Sequence, residues 1–214
     1  SGDMILIGIV GGIASGKSLV SSRLASLGAE VLDADRVGHE VLRESAVKEA
    51  VRRRWGDGVF DCRGEIDRAK VAKIVFAADP DGQRELTFLE ELTHPRIGQH
   101  LRQQIAQWAR DGRTAAAVLD APVMLKSGWD KECDIIVFVD APRDVRLARA
   151  RQRGWTEADF ESREGAQQTL EAKRLRADVV IDNSSTLEDV YSQIDRLWLS
   201  LGCGTFRETM SPPG

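Results

Sequence analysis

Apolar positions in this chain follow two rhythms. Short runs rich in β-branched residues stand at Met4-Ile5-Leu6-Ile7-Gly8-Ile9-Val10, Ala29-Glu30-Val31-Leu32, Ala115-Ala116-Ala117-Val118-Leu119, Ile135-Ile136-Val137-Phe138-Val139 and Val179-Val180-Ile181. Strands buried on both faces read this way. Between the runs, apolar residues return at helical spacing. Val20, Leu24 and Leu27 share one face, with Gly28 as a stop. Val71, Ile74 and Val75 follow Asp67 as a cap, and Ile97, Leu101, Ile105 and Trp108 form a longer stripe. A capping box from Ser185 to Glu188 opens a last helix, with Val190, Ile194, Leu197 and Leu201 inward. Strand and helix alternate, which predicts an α/β fold with a parallel five-stranded sheet flanked by helices.

Two stretches exceed what such a core needs. Residues 36–112 are mostly helical in pattern, and residues 143–176 are rich in arginine. The chain is therefore divided into a core (4–35, 113–142 and 177–210), a helical insertion (36–112) and a second insertion (143–176).

Where the first strand ends, the sequence reads Gly11-Gly12-Ile13-Ala14-Ser15-Gly16-Lys17-Ser18. This fits G-x-x-x-x-G-K-[ST], the phosphate-binding loop, and chance supplies it in on the order of 1% of chains this long. Its glycines allow a tight turn whose amides converge on an anion, at the positive end of the following helix. Lys17 is placed to reach the β- and γ-phosphates of ATP, and the Ser18 hydroxyl to ligate Mg²⁺. The fold expected is thus a P-loop NTPase of the nucleoside-monophosphate-kinase type.

Ligands of open parallel sheets bind at the carboxyl ends of the strands. Strand two ends in Asp33-Ala34-Asp35. A carboxylate there can take the proton of an acceptor hydroxyl, or simply cap the next helix. Strand three ends in Asp120, the place of a carboxylate that supports Mg²⁺; strand four also ends in aspartate, Asp140. Residues 143–176 carry a net charge of +3 in a chain of net charge -4. Arg146, Arg149 and Arg153 share a face, as guanidinium groups that close over a triphosphate would. Thr156 and Asp159 have capping-box spacing, which suggests a lid of two helices turning near Gly154-Trp155. His94, before Pro95, falls between two helical patterns and is either a structural hydrogen-bonder or an acceptor contact.

Composition narrows the class. The charged fraction is 30% and the hydrophobic fraction 42%, with no basic excess to suggest nucleic acid as a partner. No apolar run reaches the roughly 18 residues of a membrane span, and no leader-like segment precedes the first strand, so a cytoplasmic protein is expected. Cys62, Cys133 and Cys203 are widely spaced and form no C-x-x-C pair, which points to reduced thiols rather than zinc. The tail Ser211-Pro212-Pro213-Gly214 is expected to be disordered.

In combination these elements resemble the dephospho-CoA kinase family. The resemblance runs through the P-loop, Asp33-Ala34-Asp35, Leu92-Thr93-His94-Pro95-Arg96-Ile97, Leu119-Asp120-Ala121-Pro122-Val123-Met124-Leu125, Arg163 and Gln167, and Ala177-Asp178-Val179-Val180-Ile181-Asp182-Asn183. It implies transfer of the ATP γ-phosphoryl group to the 3′-hydroxyl of the ribose of dephospho-CoA, giving CoA and ADP, the last step of coenzyme A synthesis. By this resemblance Asp33, Lys17 and Arg163 are the catalytic residues. Gly12, Ile13, Ala14, Ser15, Gly16, Lys17, Ser18, Leu19 and Asn183 bind ATP, with Asn183 near the adenine. Asp33 and His94 bind the acceptor, and Ser18 and Asp120 hold Mg²⁺. Residues 36–112 form the acceptor domain and 143–176 the lid; a monomer or weak homo-oligomer is expected. Three features depart from the family pattern: Leu19 replaces the usual threonine, Lys126 stands where an acidic residue is usual, and the lid is one residue longer near Arg151 to Gly154. Either Arg151 or Arg153 then takes the phosphate-clamping place. The P-loop alone also fits another small-molecule or nucleoside monophosphate kinase, or a shikimate kinase, on the same scaffold; an ATP-dependent switch without an acceptor is a third class.

Overall fold

The computed structural model describes residues 4–120, 128–165, 167 and 169–203. Lys126, the Ala121 to Leu125 element and the tail from Ser211 fall outside the described residues.

The apolar runs become five strands: β1 (Ile5–Gly11), β2 (Glu30–Asp33), β3 (Ala116–Asp120), β4 (Ile135–Asp140) and β5 (Val179–Asp182). Their order across the sheet is β2-β3-β1-β4-β5. β1 lies parallel to both β3 and β4, with Ile7 opposite Val118 and Ile135, and β4 is parallel to β5. The P-loop strand is thus central, flanked by the strands ending in Asp120 and Asp140. Between β1 and β2 comes α1 (Lys17–Leu27), and after β5 comes α9 (Leu187–Ser200). Val20 and Leu24 of α1, Val190, Ile194 and Trp198 of α9, and Ile7, Ile9, Val118 and Val137 of the sheet form one buried cluster. Each such side chain withdrawn from water contributes roughly 1.5–3 kcal/mol, which fixes α1 behind the loop it follows.

The last helix starts one residue later than the pattern of Ser185 and Glu188 implies. Thr186 is the cap, its hydroxyl accepting from the Asp189 amide at 3.2 Å, while Ser185 donates to the Asp189 carboxylate. Two overlapping cap frames exist in the sequence, and both are compatible with the inward face of Val190, Ile194 and Leu197 that the helix presents.

By compactness the chain forms two units, one of residues 1–32 and 108–214, the other Asp33–Gln107. The second contains α2 (Ala34–Val41), α3 (Ser45–Trp55), α4 (Arg68–Val75) and most of α5 (Pro80–Asp111). Asp67 caps α4 through the amides of Ala69 and Lys70. Glu44, just before α3, accepts from His100 at 2.9 Å and pairs with Arg96, binding the start of α3 to α5. His94 does not separate two helices. α5 is continuous through Pro95, which removes a backbone donor. On either side of it Thr93 Oγ1 donates to Leu89 O and the Arg96 guanidinium to Leu92 O, so side chains reinforce the turns around the proline.

The arginine-rich stretch forms three helices rather than two: α6 (Arg143–Gln152), α7 (Glu157–Gly165) and the short α8 (Leu170–Leu175). The expected box at Thr156 and Asp159 is present, each backbone amide bonded to the other's side chain. Thr169 caps α8 separately, a signal with no apolar stripe to announce it.

Candidate active site

The turn from Gly11 to Ser18 is set by backbone geometry. Gly16 has φ +98, a left-handed value, and Ala14 holds φ 57, which is uncommon for a residue with a Cβ. A methyl group on Gly16 would come 2.1 Å from Asn183 Nδ2, and one on Gly12 would come 2.9 Å from the Arg146 guanidinium. Only glycine allows those neighbours so close.

The loop's carbonyls are drawn outward by cations and amides from other elements. Lys173 Nζ donates to Gly11 O at 3.0 Å, Arg146 to Ile13 O, and Arg149 to Ala14 O and Ser15 O. Asn183 Nδ2 donates to Ser15 O at 2.7 Å, and Arg149 also donates to the Asn183 carbonyl. With carbonyls turned out, the amides of Lys17 and Ser18 open α1, in the first turn where N–H groups have no intrahelical acceptor. The result is a nest of donors at a positive helix end. Ser15 Oγ is buried and has no protein partner, a further polar atom in the loop awaiting one.

Charge deepens the nest. Burial lowers the Lys17 pKa, Asp120 opposes that, and Arg153 and Arg146 add to it. Burial likewise brings Lys173 down to about 8, with Lys17 and Arg146 adding to the effect and Glu164 opposing it. Cations this crowded lack sufficient counter-charge from the protein, and a polyphosphate supplies it. A cavity of about 590 Å³ opens beside the loop, lined by Gly12, Ile13, Arg143, Arg146, Glu164 and Lys173 among others.

Each expected residue has a definite place. Lys17 lies against the loop, its ammonium donating to Gly12 O at 3.4 Å. Ser18 is exposed, and Leu19 packs against the sheet cluster. Asp120 accepts from Ser21 Oγ and lies close enough to Lys17 to act on it. Asp140, the other strand-end aspartate, is engaged by Arg174. Arg146 is 3% exposed and bonds Ala141 O and Glu164. Arg163 has its guanidinium 4.3 Å from the centre of the Trp155 ring, which packs on the cluster of Ala14, Leu147, Ala150 and Phe160. Of the two arginines at the lid turn, Arg153 acts on Lys17, whereas Arg151 pairs with Glu157. Asn183 is buried with its amide spent on the loop. Asp178 accepts from the Ile136 amide, so that part of the closing motif aligns β5 with β4. Asp33 ends β2 and caps α2, Oδ1 accepting from the Arg36 amide at 2.9 Å. His94 is half-buried in α5. Lys173 and Arg149 were not singled out by motif. Arg149 was named only as one of a charged helical face and Lys173 only through the charge of its segment, because their bonds to the loop carbonyls join positions more than 130 apart.

No cluster of three or more His, Cys, Asp or Glu suited to a metal occurs among the described residues. A hard cation held by one carboxylate, a hydroxyl and substrate phosphates needs no such cluster.

Sequence comparison decides the lineage. A family model described as dephospho-CoA kinase matches residues 5–189. The chain belongs to the dephospho-CoA kinase family. A relative named dephospho-CoA kinase from Symbiobacterium thermophilum is 39% identical, over 94% of this chain and 82% of its own length. Another of that name, from Leifsonia xyli subsp. xyli, is 41% identical over 92% of this chain and 99% of its own. The crystal structure of TT1252 from Thermus thermophilus superposes with a TM-score of 0.78 at 32% identity, covering 93% of this chain and 98% of the other. Members of this kinase family use ATP, which the P-loop here is built to receive. No helix among the described residues is long and apolar enough to cross a membrane.

Proposed function

We propose that this protein phosphorylates the 3′-hydroxyl of the ribose of dephospho-CoA, using ATP. The observation that carries the reading is the P-loop nest, with its carbonyls tied outward by Lys173, Arg146, Arg149 and Asn183, in a chain of this family. Such a nest binds the β- and γ-phosphates through amides and Lys17. Asp33, at the carboxyl end of β2, takes the proton of the acceptor hydroxyl. The hydroxyl oxygen forms a bond to the γ-phosphorus as the bond from that phosphorus to the bridging oxygen breaks, and the electron pair leaves with ADP. Lys17 and the lid arginines, Arg146 and Arg163 among them, offset charge that moves onto the oxygens.

Ser18 and Asp120 are suited to hold Mg²⁺, which neutralises phosphate charge when bound. Asn183 anchors the loop near the adenine, and His94 contacts the acceptor. The site lies in a protein that works in the cytoplasm, as a monomer or weak homo-oligomer.

The test is ADP release with dephospho-CoA, AMP, GMP and shikimate as competing acceptors. Turnover is expected with dephospho-CoA. Brisk consumption of another acceptor, with dephospho-CoA untouched, places the protein with a different small-molecule kinase activity.

A further inference from the structure

The unit formed by Asp33–Gln107 has a cavity of its own, about 330 Å³ in volume. His39, Arg43, Asp61, Arg63, Glu65 and Arg68 line it. Other arginines of this unit are neutralised at the surface: Arg36 by Glu40, Arg52 by Asp57, Arg54 by Glu85 and Arg96 by Glu44. Arg43, Arg63 and Arg68 form no ion pair among the described residues, and all three converge on this cavity.

The two carboxylates of the lining offset only part of this charge: backbone amides, and after them Arg63 and Lys48, hold the Asp61 carboxyl below the usual carboxylate range. Asp61 Oδ1 is turned back to the chain, accepting from the amides of Arg63 and Glu65 at 2.8 and 2.9 Å. Glu65 Oε1 is taken by Lys48 at 2.6 Å, which adds another cation nearby. Glu65 Oε2 is buried with no hydrogen-bond partner. Oε2 is thus enclosed by the protein and does not open on the cavity. Leu42 and Ile66 complete the wall with apolar surface. Three guanidinium groups and an apolar wall suit a ligand with several phosphate oxygens and a hydrocarbon portion.

We infer that this cavity binds the diphosphate of the acceptor, its arginines taking the phosphate oxygens. The assignment rests on the reading of dephospho-CoA as acceptor. One element links it to the proposed base: Asp33 caps the first turn of α2, and His39 lies in its last turn. That separation is ~9 Å along the helix axis at 1.5 Å per residue, with Arg43 about a turn further along the chain. An acceptor with its ribose at Asp33 extends its diphosphate along α2 towards the arginines.

The experiment pairs Arg63→Gln/Arg68→Gln with the charge-keeping Arg63→Lys/Arg68→Lys. Steady-state kinetics are measured with dephospho-CoA and ATP varied in turn. Inorganic pyrophosphate is titrated calorimetrically with the P-loop filled by a non-hydrolysable ATP analogue. The glutamine pair is expected to raise KM for dephospho-CoA about tenfold or more, leave KM for ATP and kcat nearly unchanged, and abolish pyrophosphate binding. The lysine pair retains part of both. Unchanged KM for dephospho-CoA overturns the assignment: if pyrophosphate binding is still lost, the cavity takes a free anion only, and if it persists, these arginines bind no diphosphate. Wild-type protein that leaves dephospho-CoA unconverted defeats the acceptor reading instead, and the pyrophosphate titration then decides separately whether the cavity is an anion site.

Discussion

Lys173 and Lys17 show what a single side chain contributes here. Both are buried ammonium groups beside other cations, which lowers the pKa of each, that of Lys173 to about 8. At pH 8 about half the nucleotide-free molecules therefore lack the Lys173 proton. Polyphosphate placed beside the ammonium raises its pKa again, so ATP binding at that pH takes protons up. Calorimetry in two buffers of different ionisation heat is expected to show up to about half a proton absorbed through Lys173, and less in Lys173→Met. Equal uptake in both proteins excludes the residue from the phosphate field. The same shift has a sign for stability. The folded pKa lies below the unfolded value of 10.5, so the unfolded chain binds more protons between about 8 and 10.5. Without nucleotide, the wild type gains stability relative to Lys173→Met as pH rises through that window, read from urea midpoints. Lys17→Ala is expected to lower kcat by roughly 10²–10³ with the fold intact, as loss of a charge-stabilising donor does. Asp33→Asn is expected to leave ATP affinity nearly unchanged and cut phosphoryl transfer by about 10²–10⁴. Its amide oxygen can still accept from the Arg36 amide, so the cap survives while the base does not. Equal loss of binding and turnover makes Asp33 structural only.

At the scale of elements, the position of α9 depends on one hydroxyl. Thr186→Ala removes the acceptor for the Asp189 amide and is expected to cost about 1 kcal/mol. Ser185→Ala removes only an exposed bond to the Asp189 carboxylate and is expected to cost less than half as much. Denaturant midpoints of the two variants decide, and the reverse order restores the frame that begins at Ser185. The strands were legible because continuous β-branched runs have few other uses, and α1, α4 and α9 because their stripes repeat at helical spacing. The start of α9 was less legible because Ser185 and Thr186 each have an acid three residues on, so spacing offers both as caps. The continuity of α5 was hidden for another reason. Proline argues locally for a break, and the bonds of Thr93 and Arg96 to the turns around it depend on rotamers that spacing does not report. α8 is too short to carry a stripe at all.

On the scale of the whole chain, the P-loop was fully legible, since its chemistry is local: eight consecutive residues turn, bind and start a helix. What holds that loop open was not. Gly11 is bonded by Lys173 and Ser15 by Arg149 and Asn183, pairs that only the parallel order β1-β4-β5 and the helices after β4 bring together. The cavity of Arg43, Arg63 and Arg68 was equally hidden, because each of the three reads as an ordinary surface charge until its partners are counted. The proposed reading gives ATP to one unit and dephospho-CoA to the other, which leads to a prediction on hydrogen exchange. The amides of Lys17 and Ser18 have no intrahelical acceptor, so in the free protein they exchange fast. A non-hydrolysable ATP analogue is expected to slow them and to protect α6 and α8, whose side chains bond the loop. Dephospho-CoA alone is expected to slow exchange in the other unit, at the first turn of α2 and at residues 61–68, where Asp33 and the unpaired arginines lie. Because each ligand stabilises only the states that bind it, the two footprints should be separable and should add when both ligands are present. Protection by dephospho-CoA confined to residues 1–32 and 108–214 would remove the acceptor from Asp33 and from the arginine cavity together.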